Sequence, residues 1–380
     1  MNSLVALVIG LLSLTGLPYV IYIALYLAER PSGSPVEKEP WEPEVSIVLP
    51  TYNESAIVET KLDDVLELDY PMEKVELVVV DSSTDDTREV IRDYFTGLDA
   101  PELVLLEEDE RRGLAPALND AYEAASKEMV VKTDCDSKLK PDALREAAAN
   151  LAADDVAAVT GTNVEVLGGS EVESGYRGVQ SHIQQLESHL DSTLIFHGPF
   201  SAFENDALLP IDPNSLADDT ELALKIRRQG GRVIFDPEVQ YMEASHSEFV
   251  KRRKQKDRRG MGLIRLLVQH RDALGRYGKY GKVVLPFNWW FMIVSPWLLV
   301  VTLLVGTGAA VSLFGVGGLV LPLAVGAFAY LGQRDLLGPV QALYSLFDTQ
   351  VSLFRASVEL LRGKGDGTWE VDSELREAFE

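Results

Sequence analysis

Two runs without charge bracket this chain, and they limit its architecture more than anything between them. From Leu4 to Ala28, and again from Val283 to Gln333, no Asp, Glu, Lys or Arg occurs. At about 1.5 Å of rise per residue, the first run as a helix exceeds a hydrocarbon layer of about 30 Å, so residues 1–30 are expected to form an N-terminal transmembrane helix. A signal peptide would show a basic start and a shorter apolar region. The second run is long enough for two transmembrane helices over 283–333, joined by a glycine-rich turn around Gly306 to Gly318, with Trp289, Trp290 and Trp297 as interfacial aromatics. Beyond it, Leu336, Val340, Leu343, Phe347, Val351 and Phe354 recur at helical spacing among Asp335, Asp348 and Arg355. Residues 334–363 therefore read as an amphipathic interfacial helix, lying on the membrane rather than crossing it.

Positive charge gathers in "KRRKQKDRRGMGLIRLLVQHRDALGRYGKYGK", residues 251–282, directly before the paired spans. Arg30, Lys38 and Arg334 fall on the same side in a three-span arrangement. The positive-inside tendency then puts the middle of the chain in the cytoplasm of a multi-pass cell-membrane protein, with the basic interfacial segment against anionic lipid head groups. Residues 31–43, rich in Pro and Glu, are a linker, and 364–380, "KGDGTWEVDSELREAFE", read as an acidic tail with no packing pattern. The whole chain of 380 residues carries 59 acidic against 35 basic side chains, a net charge of −24. Such a field repels polyanions, which excludes nucleic acid as a partner, and a halophilic-like acidic surface of this kind suits a salt-rich cytosol. The lone Cys135 excludes an internal disulfide framework and a cysteine zinc cluster, and His182, His189, His197 and His246 lack metal-ligand spacing.

Residues 44–250 alternate strands and helices. "EVSIVLPTYNES", "VELVVVDSSTDDT", "ELVLLEED" and "EMVVKTDCDS" each read as a buried strand ending in a polar turn, with helical segments between them. That order implies an α/β, Rossmann-like unit with a doubly wound parallel sheet, whose ligands bind at the carboxyl ends of the strands, where Asn53, Asp81 and Asp134 fall. In "VVKTDCDSKL" an apolar strand runs into two aspartates one residue apart. Like charges so close repel unless a cation neutralises them, as a hard divalent ion bridging to phosphate would; the alternative is a solvated turn.

Seven stretches, "VSIVLPTYNES", "VVVDSSTDDT", "GLAPALNDA", "KTDCDSKLKPDAL", "GPFSAF", "DDTELALKIRRQGGRVIFDP" and "QKDRRGMG", resemble in order and spacing the motifs of inverting family 2 glycosyltransferases of the GT-A fold, in their membrane-bound synthase-like branch. The resemblance runs from Val45 to Gly262. It implies a nucleotide-sugar donor, with a UDP-sugar favoured, a lipid-linked or glycan acceptor, and Mg²⁺ or Mn²⁺ as cofactor. Asp136 would ligate the ion and Asp134 would hold the ribose or the metal shell. Thr51, Tyr52, Asn53 and Glu54 would contact the nucleoside, with Asp81 accepting a base or ribose hydrogen bond and Asp85 as its alternative. Asp85 and Thr87 could equally cap the helix that follows.

By the same resemblance Asp219 is the general base, with Asp218 the lesser candidate, although either could simply cap the helix "TELALKIRRQ". Gln255 and Arg258 match the branch's Gln-x-x-Arg, and Arg258 would pair with pyrophosphate. Arg259 stands where that branch carries tryptophan. Without an indole to stack an acceptor sugar, single addition is expected over processive polysaccharide synthesis. Gly198, Phe200 and His197 would line the acceptor side. An inactive membrane scaffold is the third reading, against which the intact acidic motifs speak.

Overall fold

The structure is a computed structural model that describes residues 3–167, 174–244 and 249–363 together with Arg376 and Phe379; His246 and the rest of the tail lie outside the described residues. Helix α1 (Ser3–Glu29) precedes the α/β unit. That unit runs β1 (Val45–Thr51), α2 (Val58–Leu66), β2 (Val75–Asp81), α3 (Thr87–Phe95), β3 (Glu102–Glu107), α4 (Leu114–Ala124), β4 (Met129–Lys132), β5 (Ser137–Leu139), α5 (Ala143–Leu151), β6 (Val156–Leu167), α6 (Ser174–Leu190), β7 (Ser201–Glu204), α7 (Asp218–Gln229) and β8 (Arg232–Ala244). Then come α8 (Phe249–Gln269), α9 (Leu285–Trp289), α10 (Ser295–Phe314), α11 (Val320–Gln333) and α12 (Gln341–Leu361).

The eight strands form one sheet in the order β3-β2-β1-β4-β7-β6-β8-β5. The β1, β2, β3 and β4 half is parallel, as the alternation of strand and helix requires. The expectation of a wholly parallel sheet fails beyond it. Strand β7 enters reversed between β4 and β6, and β5 pairs antiparallel with β8. Because β7 is inserted beside β4, the turn that leads into it, residues 197–200, lies over the carboxyl end of β4; Thr133 Oγ1 donates to the Pro199 carbonyl at 3.0 Å. The two faces of the sheet bury separate cores, one around Ile47, Leu62 and Leu77 under α2 and α5, the other around Val48, Leu118 and Phe203 under α4 and α7.

Buried lysines lock the loops. Lys61 of α2 has its ammonium against Asp64 at 3.1 Å, Thr133 Oγ1 at 3.1 Å and the Ser137 carbonyl at 2.7 Å, so it fixes the turn after β4. Lys38, from the segment between α1 and β1, sits among Glu146, Asp236 and Glu238 at 2.5, 2.6 and 2.6 Å. Those three carboxylates are close enough together to hold a cation, and Lys38 already supplies one.

Two segments, Ser3–Glu29 and Tyr280–Gln333, are long and apolar enough to cross a membrane. Around α1, Leu12, Leu17, Val20, Ile23 and Leu27 are all more than half exposed, an apolar surface that water does not tolerate over such a length. The second segment differs from two equal spans over 283–333. Its first part packs against the α/β unit: Tyr280, Val284, Leu285, Phe291 and Met292 are buried with Leu186, Leu224 and Ile264. A break at Gly315, φ 59°, separates α10 from α11, and Gly318 lies so near the α10 backbone that a Cβ would come within 2.3 Å of Ala310. Asp348 and Ser352 of α12 turn inward and take the Arg253 guanidinium of α8, and the exposed Arg355 meets Asp257 through Nε at 2.8 Å, while Leu343 and Leu361 are exposed. The first part of the basic 251–282 segment is therefore one helix, packed on α12 by one face.

Lys38→Met is expected to cost about 3 kcal/mol, because it leaves the fully buried Asp236 carboxylate without a cation, with the Asn150 side chain and the Glu238 amide as its remaining donors. The check is chemical unfolding of the detergent-solubilised chain, with Asp236→Asn on the Lys38→Met background recovering part of the loss.

Candidate active site

The carboxyl ends of β1, β2 and β4 converge, and each delivers polar residues for a reason legible in the backbone. Asn53, just after β1, takes φ 55°, a left-handed conformation that Asn tolerates better than most residues. Its amide nitrogen donates to Ser83 Oγ at 2.8 Å, and its side-chain oxygen accepts from Thr84 N at 2.8 Å, which ties the first turn to the second. Glu54 is buried, and its main-chain oxygen accepts from Ile57 and Val58 at the start of α2. Tyr52 lies under the Arg111 guanidinium, 3.7 Å from the ring centroid, a cation–π contact that covers one face of the ring.

Asp81 departs from expectation. It is wholly buried, and each carboxylate oxygen already has two donors: Ser83 N and Arg88 Nε on one, Thr51 and Ser83 hydroxyls on the other. A fully engaged carboxylate is a buttress for the loop, and a nucleoside could reach it only by displacing one of these donors. Thr51 is spent in the same buttress. Asp85 accepts from Ser55 Oγ at 2.7 Å and from Thr87 N at 3.1 Å, so it joins the first turn to the start of α3.

The second group gathers around Lys132. This residue ends β4 with its side chain buried, 2.7 Å from Asp134 Oδ1 and 3.4 Å from Asp219 Oδ2. Asp218 and Asp219 begin α7, but the N-cap is Ala217 and no side chain caps the helix; the capping role does not hold for either. Instead Asp219 Oδ1 and Asp218 Oδ2 are buried without a hydrogen-bond partner among the described residues. Burial raises the pKa of Asp219 above the usual carboxylate range, and the Lys132 ammonium opposes that rise.

Asp134 and Asp219 face a cavity of about 320 Å³, which Gln255 and Arg258 of α8 close from above and His197 and Gly198 from the side. Among the described residues the Arg258 guanidinium forms no ion pair with a carboxylate, and its desolvation lowers its pKa. His197 is hydrogen-bonded through Nε2 to Gln184 at 3.0 Å. Phe200, expected on the acceptor side, is instead wholly buried in the core. Gly198 is where it is because a side chain would not fit: a Cβ there would stand 2.7 Å from Asp134 Oδ2 and 2.9 Å from Lys132 Nζ. The far end of the cavity is apolar, formed by Leu263, Phe291, Met292 and Leu353.

Asp136 lies on the other side of the strand end. Burial first, then the charge of Asp134, pushes its pKa up to about 6. Carboxylate oxygens are the ligands a hard divalent cation takes, so the donor chemistry of Asp134 and Asp136 fits such an ion. Sequence reading missed Lys132, Gln184 and Arg111. A lysine closing an otherwise apolar strand was the available signal for the first.

A GT-A-like α/β unit with a donor-type rim and a buried acid pair defines a glycosyltransferase-class site, and comparison with known proteins agrees. Residues 43–262 match the family described as Glycosyltransferase like family 2, and the chain belongs to that family. Among solved structures it is similar to the mannosyltransferase PcManGT from Pyrobaculum calidifontis in complex with GDP-Man and Mn²⁺, at 30% identity and a TM-score of 0.79, covering 95% of this chain and 99% of that one. Curated relatives include the poly-beta-1,6-N-acetyl-D-glucosamine synthases of Staphylococcus epidermidis, 28% identical over 52% of this chain and 47% of theirs, and of Staphylococcus aureus strain COL, 27% identical over 51% and 48%. The chain spans about half the length of these curated relatives.

Gly198→Ala is expected to lower turnover by about 10- to 100-fold, since the new methyl must push Asp134 and Lys132 off their positions. Steady-state transfer assays and a thermal melt run together will separate this from unfolding, because only the rate should change strongly.

Proposed function

We propose that the chain is a membrane-bound, inverting, divalent-metal-dependent glycosyltransferase that moves one sugar from a nucleoside-diphosphate sugar to the hydroxyl of a lipid-linked or glycan acceptor. The observation that carries this reading is Asp219: a buried carboxylate with one oxygen unpartnered, facing a cavity that also holds Asp134 and Arg258. Single displacement with inversion needs one base near the acceptor hydroxyl and no enzyme nucleophile. Asp219 takes the hydroxyl proton as the acceptor oxygen attacks the anomeric carbon. Lys132 keeps that carboxylate charged in a buried setting, and Arg258, with its planar fork, meets the phosphate oxygens of the leaving diphosphate. Tyr52 under Arg111 holds the base, while Asn53 shapes the turn around it. A divalent ion held by Asp134 and Asp136 would supply charge neutralisation to the diphosphate.

The donor class follows from the pattern of likeness. The mannosyltransferase that resembles this chain along nearly its whole length was solved with GDP-Man, which supports a GDP-sugar as the first donor to test, ahead of the uridine nucleotide expected from sequence. The acceptor class follows from the cavity, whose apolar end lies among the segments that lead into α10 and among α8 and α12. A lipid-borne hydroxyl can reach Asp219 from that side. With α1 and the α10–α11 hairpin in the bilayer, the α/β unit sits at the cytoplasmic face of the cell membrane, as the clustering of Lys and Arg suggests.

Asp219→Asn should lower transfer by about 10² to 10⁴ while donor affinity stays near wild type. The assay pairs labelled GDP-mannose and UDP-N-acetylglucosamine with purified membranes, and unchanged transfer by the variant would remove the base role. The pH profile has a defined sign. Because burial raises the Asp219 pKa, the base form appears only as pH climbs above the ordinary carboxylate range, so kcat/KM should rise there and then level off. Lys132→Met should displace that ascending limb to higher pH, measured as kcat/KM across a buffer series.

A further inference from the structure

The two described residues of the C-terminal tail are both buried, Arg376 beside Glu54 and Asp136 and Phe379 in the core. Arg376 places Nε 2.8 Å from Glu54 Oε2 and a second guanidinium nitrogen on Glu54 Oε1, a bidentate pair across almost the entire chain. A third nitrogen lies 3.6 Å from Asp136 Oδ2. Phe379 is 1% exposed, packed in the core beneath the sheet, with the Lys138 ammonium 5.2 Å from its ring centroid. The expectation of a tail without packing is thereby corrected at these two positions. An aromatic seated in the core and a guanidinium seated on a strand-end carboxylate are two independent attachments at one place.

We propose that Arg376 is a positioning residue of the donor site, its guanidinium completing the rim that receives the nucleoside diphosphate. The inference rests on the nucleotide-sugar reading above. The geometry distinguishes positioning from simple obstruction. A cation that merely occupied the metal site would be centred on Asp136, whereas Arg376 is anchored by its fork to Glu54 and only loosely faces Asp136. Glu54 is itself immobile: its amide nitrogen donates to Thr87 Oγ1 at 3.0 Å and its carbonyl oxygen accepts from the first residues around α2. Arg376 thus stays in place when a divalent ion arrives, and adds a fixed positive charge beside an ion and an anionic diphosphate.

That charge has opposite consequences for the two ligands. It repels the free divalent ion and attracts the diphosphate. The test uses the full chain in detergent and measures, by calorimetry, the binding of Mn²⁺ alone and then of GDP, or of UDP should the wild type prefer it, at saturating Mn²⁺. For Arg376→Gln, Mn²⁺ alone should bind about fivefold tighter and the nucleotide about fivefold weaker, the size of one unit-charge interaction screened nearly as in water. Arg376→Lys, which keeps the charge and loses the fork, should leave Mn²⁺ affinity at the wild-type level with intermediate nucleotide affinity, and it serves as the folded variant should the glutamine form fail. If both ligands weaken together, Arg376 is only scaffold; if both tighten, it is a plug; if neither changes, it has no part in the site. Each of those three outcomes overturns the proposal. A wild type that binds neither Mn²⁺ nor either nucleotide would instead overturn the nucleotide-sugar reading itself.

Discussion

A single ammonium group governs the chemistry of this molecule. Lys132 is buried at the end of a four-residue strand, where desolvation alone would strip its charge, yet Asp134, Asp219 and Asp218 surround it and raise its pKa well above the ordinary value. The dependence is mutual. Carboxylates taken from water beside one another are tenable only with a cation between them, and Lys132 lets Asp134 and Asp219 approach one centre. Two further features follow from keeping that centre compact. Gly198 has no side chain because the space is taken by Asp134 and Lys132. Strand β7 runs against its neighbours because only a reversed strand beside β4 brings the 197–200 turn over the lysine.

The parts of the fold fixed by local chemistry could be read from the residues. Strand and helix alternation located β1 to β4, and the polar turns after them marked the rim. Asp134, Asp219, Arg258, Gln255, His197 and Gly198 meet around one cavity. What escaped is what residue type alone does not reveal: which polar groups already have partners and which way a side chain faces. Asp81 looks like an open ligand at a strand end, but Arg88 and two hydroxyls saturate it. Phe200 sits in a motif that resembles an acceptor loop, but strand alternation turns it into the core. The antiparallel β7 is four residues long and carries no pattern that reveals its direction. Arg376 lies in a stretch whose composition suggests no packing at all, and its partner Glu54 is more than three hundred positions away.

The acidic composition reads differently once the site is visible. With 59 carboxylates in the chain, an Asp-x-Asp or an Asp-Asp pair says little by itself. Burial separates the few that matter. Glu54, Asp81, Asp219 and Asp236 are each held inside by a named cation, namely Arg376, Arg88, Lys132 and Lys38. Exposed pairs such as Arg92 with Glu107 contribute little by comparison, since solvent screens them.

The apolar segments are more than tethers. Glu187 of α6 is buried and accepts hydrogen bonds from Tyr22 of α1 at 3.2 Å, Asn288 of α9 at 2.6 Å, Thr193 Oγ1 at 2.9 Å and Leu194 N at 3.1 Å. One carboxylate thus binds the first apolar helix, the start of the second apolar segment and the α/β unit. Tyr22 also stacks on Phe287, with centroids 3.5 Å apart. A few residues on, Phe291 and Met292 form part of the apolar end of the catalytic cavity. Moving α1 away from α6 would leave the Tyr22 hydroxyl and part of the Glu187 carboxylate unpaired, a cost of the kind that keeps buried polar networks intact. The apolar wall of the cavity that Asp219 faces is consequently held in register with the strand ends of the α/β unit, and the packing of the first apolar helix is tied to the geometry of the candidate site.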